Sequence, residues 1–195
     1  MGDNYPTIIY TEEGMREGMQ IEDALIPVDQ KVALLDALSE TGLKRIVVGS
    51  FVSPKYTPQM ASIDKVVEKF TPKDGVTYTA LALNQIGIER ASKFSPPLTI
   101  EKGTGRPSIS CHLCDVFARR NTNRSQMQEM SSWQTTIETA VENKASEAGI
   151  GTNATFGSNF VGDFSVDLIM RFMEHQYQLW ESVGIPVTSI AVGDP

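Results

Sequence analysis

KRIVVGSF, residues 44–51, is the part of the sequence that says most about the fold. Apolar residues follow one another almost without a break after Arg45, which is typical of a strand in a parallel sheet that is buried on both faces. Parallel neighbours need crossover connections, which are usually helices. The stretch therefore predicts an α/β protein in which helices and strands alternate along the chain.

The sequence on both sides of this strand alternates in that way. Strands are predicted at 7–12, 44–51, 76–83, 107–113, 151–157 and 188–195. Helices are predicted at 27–42, from Met60 to Phe70, at 86–93, from Ser125 along the stripe Met130, Trp133, Ile137 and Val141, and from Ser165 to about Gly184. Ser125 and Gln128 form a capping box, and the Pro- and Gly-rich residues 94–107 predict a loop.

Six strand–helix steps fit two architectures, an open doubly wound sheet or part of a (β/α)8 barrel. No G-x-G-x-x-G motif follows the first predicted strand, so a dinucleotide site has no support. In both architectures ligands bind at the carboxyl ends of the strands. The polar residues that follow each strand are therefore the candidates for a functional site.

Polar side chains stand at four of these strand ends. They are Arg16 and Glu17 after the first strand, Ser50 after the second, Asn84 after the third and Asp194 at the end of the sixth. An arginine beside a carboxylate is costly to bury unpaired, but the two suit an anionic substrate and a metal ion. This order along the chain predicts a small-molecule site.

Composition narrows the class of protein. The chain has 195 residues, 41% hydrophobic and 21% charged, with a net charge of −7, so a nucleic-acid surface is not expected. No apolar run approaches the roughly 20 residues of a membrane-spanning helix. The start MGDNYP lacks a signal-peptide pattern, and Cys111 and Cys114 form a lone C-x-x-C that is weak evidence for zinc. These features predict a reduced, cytoplasmic protein.

Several of these stretches resemble one enzyme family, the 3-hydroxy-3-methylglutaryl-CoA lyases. SFVSPKYTPQM (50–60) is similar to the segment after that family's second strand, and GMREGMQIE (14–22) to its first-strand motif. Asn84 with GIERA (87–91), DVFARRNTNRS (115–125) and AVGDP (191–195) add to the resemblance. The matches come in the family's order and cover the chain from about residue 7 to its end.

The resemblance implies an incomplete (β/α)8 TIM barrel of about six βα units and a metal-dependent carbon–carbon lyase. It implies a divalent metal, Mg²⁺ or Mn²⁺, and an acyl-CoA or carboxylate substrate. Arg16 matches the family's catalytic arginine, and Glu17 stands at the position of its metal-binding aspartate. The predicted substrate contacts are Gln20, Ser50, Asn84, His112 and Asp194.

The sequence departs from the family pattern inside this expected site. Glu17 is one methylene longer than the usual aspartate, and Val47 replaces an acidic residue of the second strand. The family's His-x-His pair of metal ligands has no counterpart, since His112 and His175 are the two histidines of the chain. We therefore interpret residues 1–195 as a single domain that forms the N-terminal three quarters of a barrel in a longer protein.

The expected reaction is cleavage of a 3-hydroxy-3-methylglutaryl-CoA-like hydroxyacyl-CoA. One alternative is an acetyl-CoA-dependent 2-oxo acid synthase of the citramalate or isopropylmalate type. The other is a non-catalytic relative that binds a small carboxylate. The departures from the family pattern at Glu17 and Val47 favour this alternative. No nucleic acid or membrane is expected as a partner, and a homodimer is the candidate assembly.

Overall fold

The computed structural model describes residues 7–82, 84–99 and 106–194. Contacts within the chain divide it into two compact units, Met1–Lys102 and Gly103–Pro195, which are described one at a time. Both units have the α/β composition that the sequence predicts. The expectation that residues 1–195 form a single domain stays a prediction.

The first unit begins with a π-helical turn, Gly14–Gly18, and continues with alternating helices and strands. Its elements are α1 (Val28–Ser39), β1 (Arg45–Ser50), a 3-10 turn (Pro58–Met60), α2 (Ile63–Lys69), β2 (Thr77–Leu81) and α3 (Gln85–Ser92). Helix α1 ends before Gly42, whose φ of +87° is a conformation that glycine adopts without strain.

Strands β1 and β2 pair in parallel, with Ile46 opposite Tyr78. Leu98 extends this sheet by a parallel bridge to Tyr78 beyond β2. Five residues of β1 are buried, as the continuous apolar run predicts. The helices cover the sheet through a core that includes Leu35, Ile46, Val48, Ile63, Val66, Phe70 and Tyr78.

The predicted strand at 7–12 is wrong except at its last residue. Glu12 makes one parallel bridge to Ile46. Its N–H donates to Arg45 O, and its carbonyl oxygen accepts from Val47 N. Ile8 and Ile9 before it are 67% and 77% exposed. The β-branched residues there favour an extended backbone, but a strand also needs a paired neighbour, which the sequence pattern does not report.

The second unit contains β3 (Ser108–His112), α4 (Asp115–Thr122), α5 (Gln126–Ser131), α6 (Trp133–Glu142), β4 (Ala148–Asn153), a hairpin of β5 (Gly157–Ser158) and β6 (Gly162–Asp163), α7 (Val166–Ser182) and β7 (Val187–Val192). Strands β3, β4 and β7 form a parallel sheet with β4 in the middle. Its core includes Ile109, Trp133, Ile137, Ile150, Ile169 and Trp180.

Two polar groups of α7 hold this helix on the central strand. The buried Gln176 amide accepts from Gly151 N at 2.9 Å and donates to Gly151 O at 3.0 Å. Trp180 Nε1 donates to Gly149 O at 3.1 Å. The same two glycines lie close to the neighbouring strands, because a Cβ at Gly149 would lie 2.9 Å from Ser108 Oγ of β3 and one at Gly151 would lie 3.0 Å from Ala191 O of β7.

The predicted long helix from Ser125 is two helices. Its capping box is confirmed, since Ser125 Oγ accepts from Gln128 N and Gln128 Oε1 accepts from Ser125 N. A break at Ser132 separates α5 from α6, and the buried face of α6 then contains Ala140 in place of Val141, which is 48% exposed. Helix α4 was not predicted as an element.

Some sequence-based expectations fall on residues outside those described. They concern MGDNYP (1–6), Leu83 at the end of the third predicted strand, residues 100–105 of the predicted loop, and Pro195. Within the described part of the chain, no helix has the length and apolarity that crossing a membrane requires.

Candidate functional site

The Arg16 segment, residues 13–22, is placed by its two methionines and by Glu12. Met15 and Met19 are 2% and 6% exposed and belong to the core of the first unit. Glu12 Oε1 accepts a hydrogen bond from Gly14 N at 2.6 Å, and Glu12 is itself bridged to β1. These contacts anchor the turn that carries Arg16 and Glu17.

Arg16 lies between two carboxylates. Its Nε donates to Glu13 Oε2 at 2.6 Å, and an Nη atom lies 2.6 Å from Glu17 Oε1. The Arg16 side chain is 20% exposed and that of Glu17 is 58% exposed. Glu13, Arg16 and Glu17 therefore form a group with a net charge of −1. These two contacts engage two of the five N–H donors of the guanidinium.

The same contacts test whether the described residues fit the divalent metal that the resemblance implies. In the described ranges, no three His, Cys, Asp or Glu side chains come together as a metal-binding group. The predicted ligand Glu17 is ion-paired with Arg16. These residues by themselves do not make a metal site, and the role of Glu17 as a metal ligand stays a prediction.

Three other predicted contacts of the first unit have distinct surroundings. Ser50 is buried at the end of β1, with 1% of its surface exposed. Asn84 is exposed and caps α3, where its Oδ1 accepts from Gly87 N at 2.9 Å. The main-chain oxygen of Gln20 accepts from the Gln59 side chain at 2.9 Å. Asn84 thus has the helix-capping role that asparagine favours.

His112, at the end of β3, is 5% exposed. It belongs to a hydrogen-bond network that has Glu129 of α5 at its centre. Glu129 Oε1 lies 2.9 Å from His112 Nδ1, and Glu129 Oε2 accepts from His112 N at 2.9 Å. Thr122 Oγ1 donates to Glu129 Oε1 at 3.0 Å, and Asn121 Nδ2 lies 3.1 Å from His112 Nε2. Gln126 Nε2 donates to His112 O at 2.7 Å.

This network engages both nitrogens of the imidazole, Nδ1 with the Glu129 carboxylate and Nε2 with the Asn121 amide. Burial, together with the negative charge of Glu129, raises the pKa of the neighbouring Cys111 thiol to about 12. His112 is therefore built into the packing of β3 against α4 and α5, and its contact with substrate stays a prediction.

Asp194 lies in a different setting, on a cavity of about 680 Å³ at the carboxyl ends of β4 and β7. The cavity is also lined by Phe117, Ser158, Phe160 and Asp163. The Arg120 guanidinium stacks 4.5 Å from the centre of the Phe160 ring. Of the predicted substrate contacts in the second unit, Asp194 is the one on an open cavity.

Sequence reasoning missed Glu129, which is 8% exposed and central to the His112 network. It lies 17 residues after His112, and the intervening α4 was not predicted, so no spacing rule could join the two. An acidic residue in the first turn of a capped helix is ordinarily solvated. No signal in the sequence distinguished it.

Comparison with known proteins relates the chain to one group of enzymes, although no protein-family model matches it. A 3-hydroxy-3-isohexenylglutaryl-CoA/hydroxy-methylglutaryl-CoA lyase of Pseudomonas aeruginosa is 35% identical over 152 residues, which are 78% of this chain and 48% of the relative. The chain thus spans about half the length of the curated relatives it matches.

Solved structures agree with that relationship. A hydroxymethylglutaryl-CoA lyase from Pseudomonas aeruginosa superposes with a TM-score of 0.58 at 29% identity, covering 97% of this chain and 58% of its own. An HMG-CoA lyase from Acinetobacter baumannii, in complex with coenzyme A and 3-methylmalate, has a TM-score of 0.54 at 24% identity and covers 94% and 55%. This likeness confirms the predicted fold class, an incomplete (β/α)8 barrel.

Proposed function

Because this chain is a relative of the hydroxymethylglutaryl-CoA lyases, we propose that the whole protein is a carbon–carbon lyase acting on a 3-hydroxy-3-methylglutaryl-CoA-like thioester. The observation that carries the proposal is 35% identity over 78% of this chain to a lyase named for two such substrates. A structural relative that binds coenzyme A and 3-methylmalate supports an acyl-CoA or carboxylate ligand.

In the proposed reaction, a base takes the proton of the tertiary hydroxyl, and the bond between that carbon and the acetyl-CoA carbon breaks. The electron pair of that bond forms the acetyl-CoA enolate, while the hydroxyl-bearing carbon becomes a ketone. Arg16 would hold the negative charge that develops on an oxygen, since a guanidinium stabilises such charge best when it is already in place. Gln20, Ser50, Asn84, His112 and Asp194 remain the proposed substrate contacts.

The proposal includes a divalent cation, Mg²⁺ or Mn²⁺, in the whole protein, with Glu17 as one ligand. In this chain one oxygen of that carboxylate, Glu17 Oε1, is ion-paired with Arg16. The proposal also includes a cytoplasmic location and a homodimer, which follow from the sequence-based expectations.

The test is turnover of 3-hydroxy-3-methylglutaryl-CoA by the whole protein, with and without Mg²⁺ or Mn²⁺, beside Arg16→Met. We expect the variant to lose roughly 100-fold or more in kcat, because one preorganised donor to a developing oxyanion is typically worth that much. Arg171→Met is the control, since Arg171 is exposed on α7. Failure to cleave this thioester or its isohexenyl homologue would overturn the proposal.

A second candidate is a non-catalytic relative that binds a small carboxylate. Two observations favour it: Glu13 and Glu17 both contact Arg16, and the β1 position where the family has an acid is Val47, which is 7% exposed. Calorimetry with Mn²⁺ separates the candidates. One-site binding that Glu17→Ala abolishes supports the lyase, and carboxylate binding without metal binding supports the non-catalytic relative.

A further inference from the structure

The motif SFVSPKYTPQM, residues 50–60, carries much of the family resemblance, yet only Ser50 of it enters the proposed site. The structure shows contacts for another of its members. Gln59 Nε2 donates to the main-chain oxygen of Gln20 at 2.9 Å and to that of Glu22 at 3.1 Å. One amide group thus joins the two stretches of sequence that most resemble the lyases.

The two hydrogens of the Gln59 amide match the two carbonyls that it contacts. A side-chain amide has two N–H donors, and each can serve one acceptor. Glutamate has the same length but no donor, so its carboxylate would face two carbonyl oxygens with no hydrogen between them. Asparagine has both donors but is one methylene shorter. At position 59, glutamine is therefore the residue whose donors and length both fit the two carbonyls.

A buried lysine supports the main chain of Gln59. Lys31 Nζ donates to Gln59 O at 2.7 Å, and Lys31 is only 4% exposed. Burial lowers the pKa of this amine, because an ammonium group loses its hydration in the interior. A lysine is seldom placed in such a position without a specific partner. The carbonyl of Gln59 is that partner.

The Arg16 segment is consequently held at both ends. At its start, Glu12 Oε1 accepts from Gly14 N, and at its end, Gln59 holds the carbonyls of Gln20 and Glu22. Between these points lie Arg16 and Glu17, whose own amides both donate to Glu13 O. A shift at either end would move the guanidinium.

We propose that Gln59 is a positioning residue, which fixes the Arg16 segment by binding the carbonyls of Gln20 and Glu22, with Lys31 holding Gln59 in turn. Its catalytic consequence rests on the proposed lyase function. Its structural consequence does not, because ordering of residues 13–22 can be measured without turnover.

The first test is hydrogen exchange by mass spectrometry on Gln59→Glu, with Gln85→Glu as the control. Gln85 is exposed, and its amide donates to the Glu89 side chain one turn further along α3. We expect exchange in peptides covering 14–22 to accelerate about tenfold or more in Gln59→Glu, since two hydrogen bonds are lost, while β1 peptides keep their rates. The control should match the wild type in both regions.

Unchanged exchange at 14–22 in Gln59→Glu would overturn the proposal, and so would equal acceleration in 14–22 and β1. Lys31→Met is the second variant, which leaves the Gln59 amide intact. It should accelerate 14–22 by a smaller factor than Gln59→Glu does, and an effect confined to α1 would also count against the proposal.

The second test uses turnover in the whole protein. Gln59→Glu should lower kcat about tenfold or more with KM within about twofold, because misplacing a catalytic group affects chemistry more than binding. Gln59→Asn should recover less than half of the lost kcat. Wild-type protein without lyase activity would refute the proposed function, while hydrogen exchange would still decide the role of Gln59.

Discussion

Removing the Glu129 carboxylate should destabilise the second unit strongly. In Glu129→Ala, the buried His112 N and His112 Nδ1 lose their acceptor, while Thr122 Oγ1 keeps a second one in Ala118 O. Each buried donor left unpaired costs about 1–3 kcal/mol, and loss of a buried charge returns part of that sum. We expect the free energy of unfolding to fall by about 2–4 kcal/mol.

Glu129→Gln gives the graded comparison. Glutamine keeps the shape of the side chain but offers one acceptor oxygen where the carboxylate offers two, so one of the His112 donors loses its partner. Its loss should be about 1–2 kcal/mol, smaller than that of Glu129→Ala. Glu142→Ala is the control, because Glu142 is exposed at the end of α6 in the same unit.

Urea unfolding followed by tryptophan fluorescence measures the effect directly. The two tryptophans of the chain, Trp133 and Trp180, are both buried in the second unit, so the signal reports on that unit. Comparison is made at equal m-values, where a change in midpoint is a change in stability. A loss below about 1 kcal/mol for Glu129→Ala would refute the reasoning that His112 is held by this network.

Two further predictions concern the interior of the same sheet. The Cys111 pKa is raised from 9.0 to about 12, so above pH 9 the unfolded thiol loses its proton first and stability falls, by up to about 1.4 kcal/mol per pH unit. Urea midpoints between pH 8 and 10.5 should show this slope, and Cys111→Ala should reduce it; equal slopes would contradict the assignment. Gln176→Leu leaves both polar groups of Gly151 without that amide and should cost about 2–4 kcal/mol in urea unfolding. Exposed Gln178→Leu should cost less than about 0.5 kcal/mol, and similar losses in the two variants would refute the role given to Gln176.

The sequence predicted those elements whose own residues determine them. The apolar run at 44–51 became β1, and the stripe from Met60 to Phe70 is buried as its spacing indicates. The strand predicted at 7–12 was wrong because strand formation depends on a partner that lies elsewhere in the chain. The local sequence pattern thus predicts which residues are buried and where helices are capped, and it predicts poorly which strands pair.

Site residues show the same division. Position after a strand marked Asn84 as a strand-end polar group, and the resemblance named His112, which lies at the end of β3, but the partners of the two side chains decide what they do. Asn84 caps α3 through Gly87 N, and His112 faces a carboxylate from α5. The contacts of Gln59 are equally long-range in sequence, 39 and 37 residues from their acceptors. One sequence does not contain enough information to pair such groups.

Strand β7 has a practical consequence for anyone handling this chain. In the described part of the structure it is hydrogen-bonded to β4 on one side, and its Ile190 and Val192 are 62% and 49% exposed. A sheet edge with apolar side chains is a template onto which any extended peptide can add. We expect the isolated chain to self-associate as its concentration rises, at temperatures well below unfolding, and light scattering across a dilution series would show whether it does. Storage in dilute solution, more than storage in the cold, should keep it monomeric.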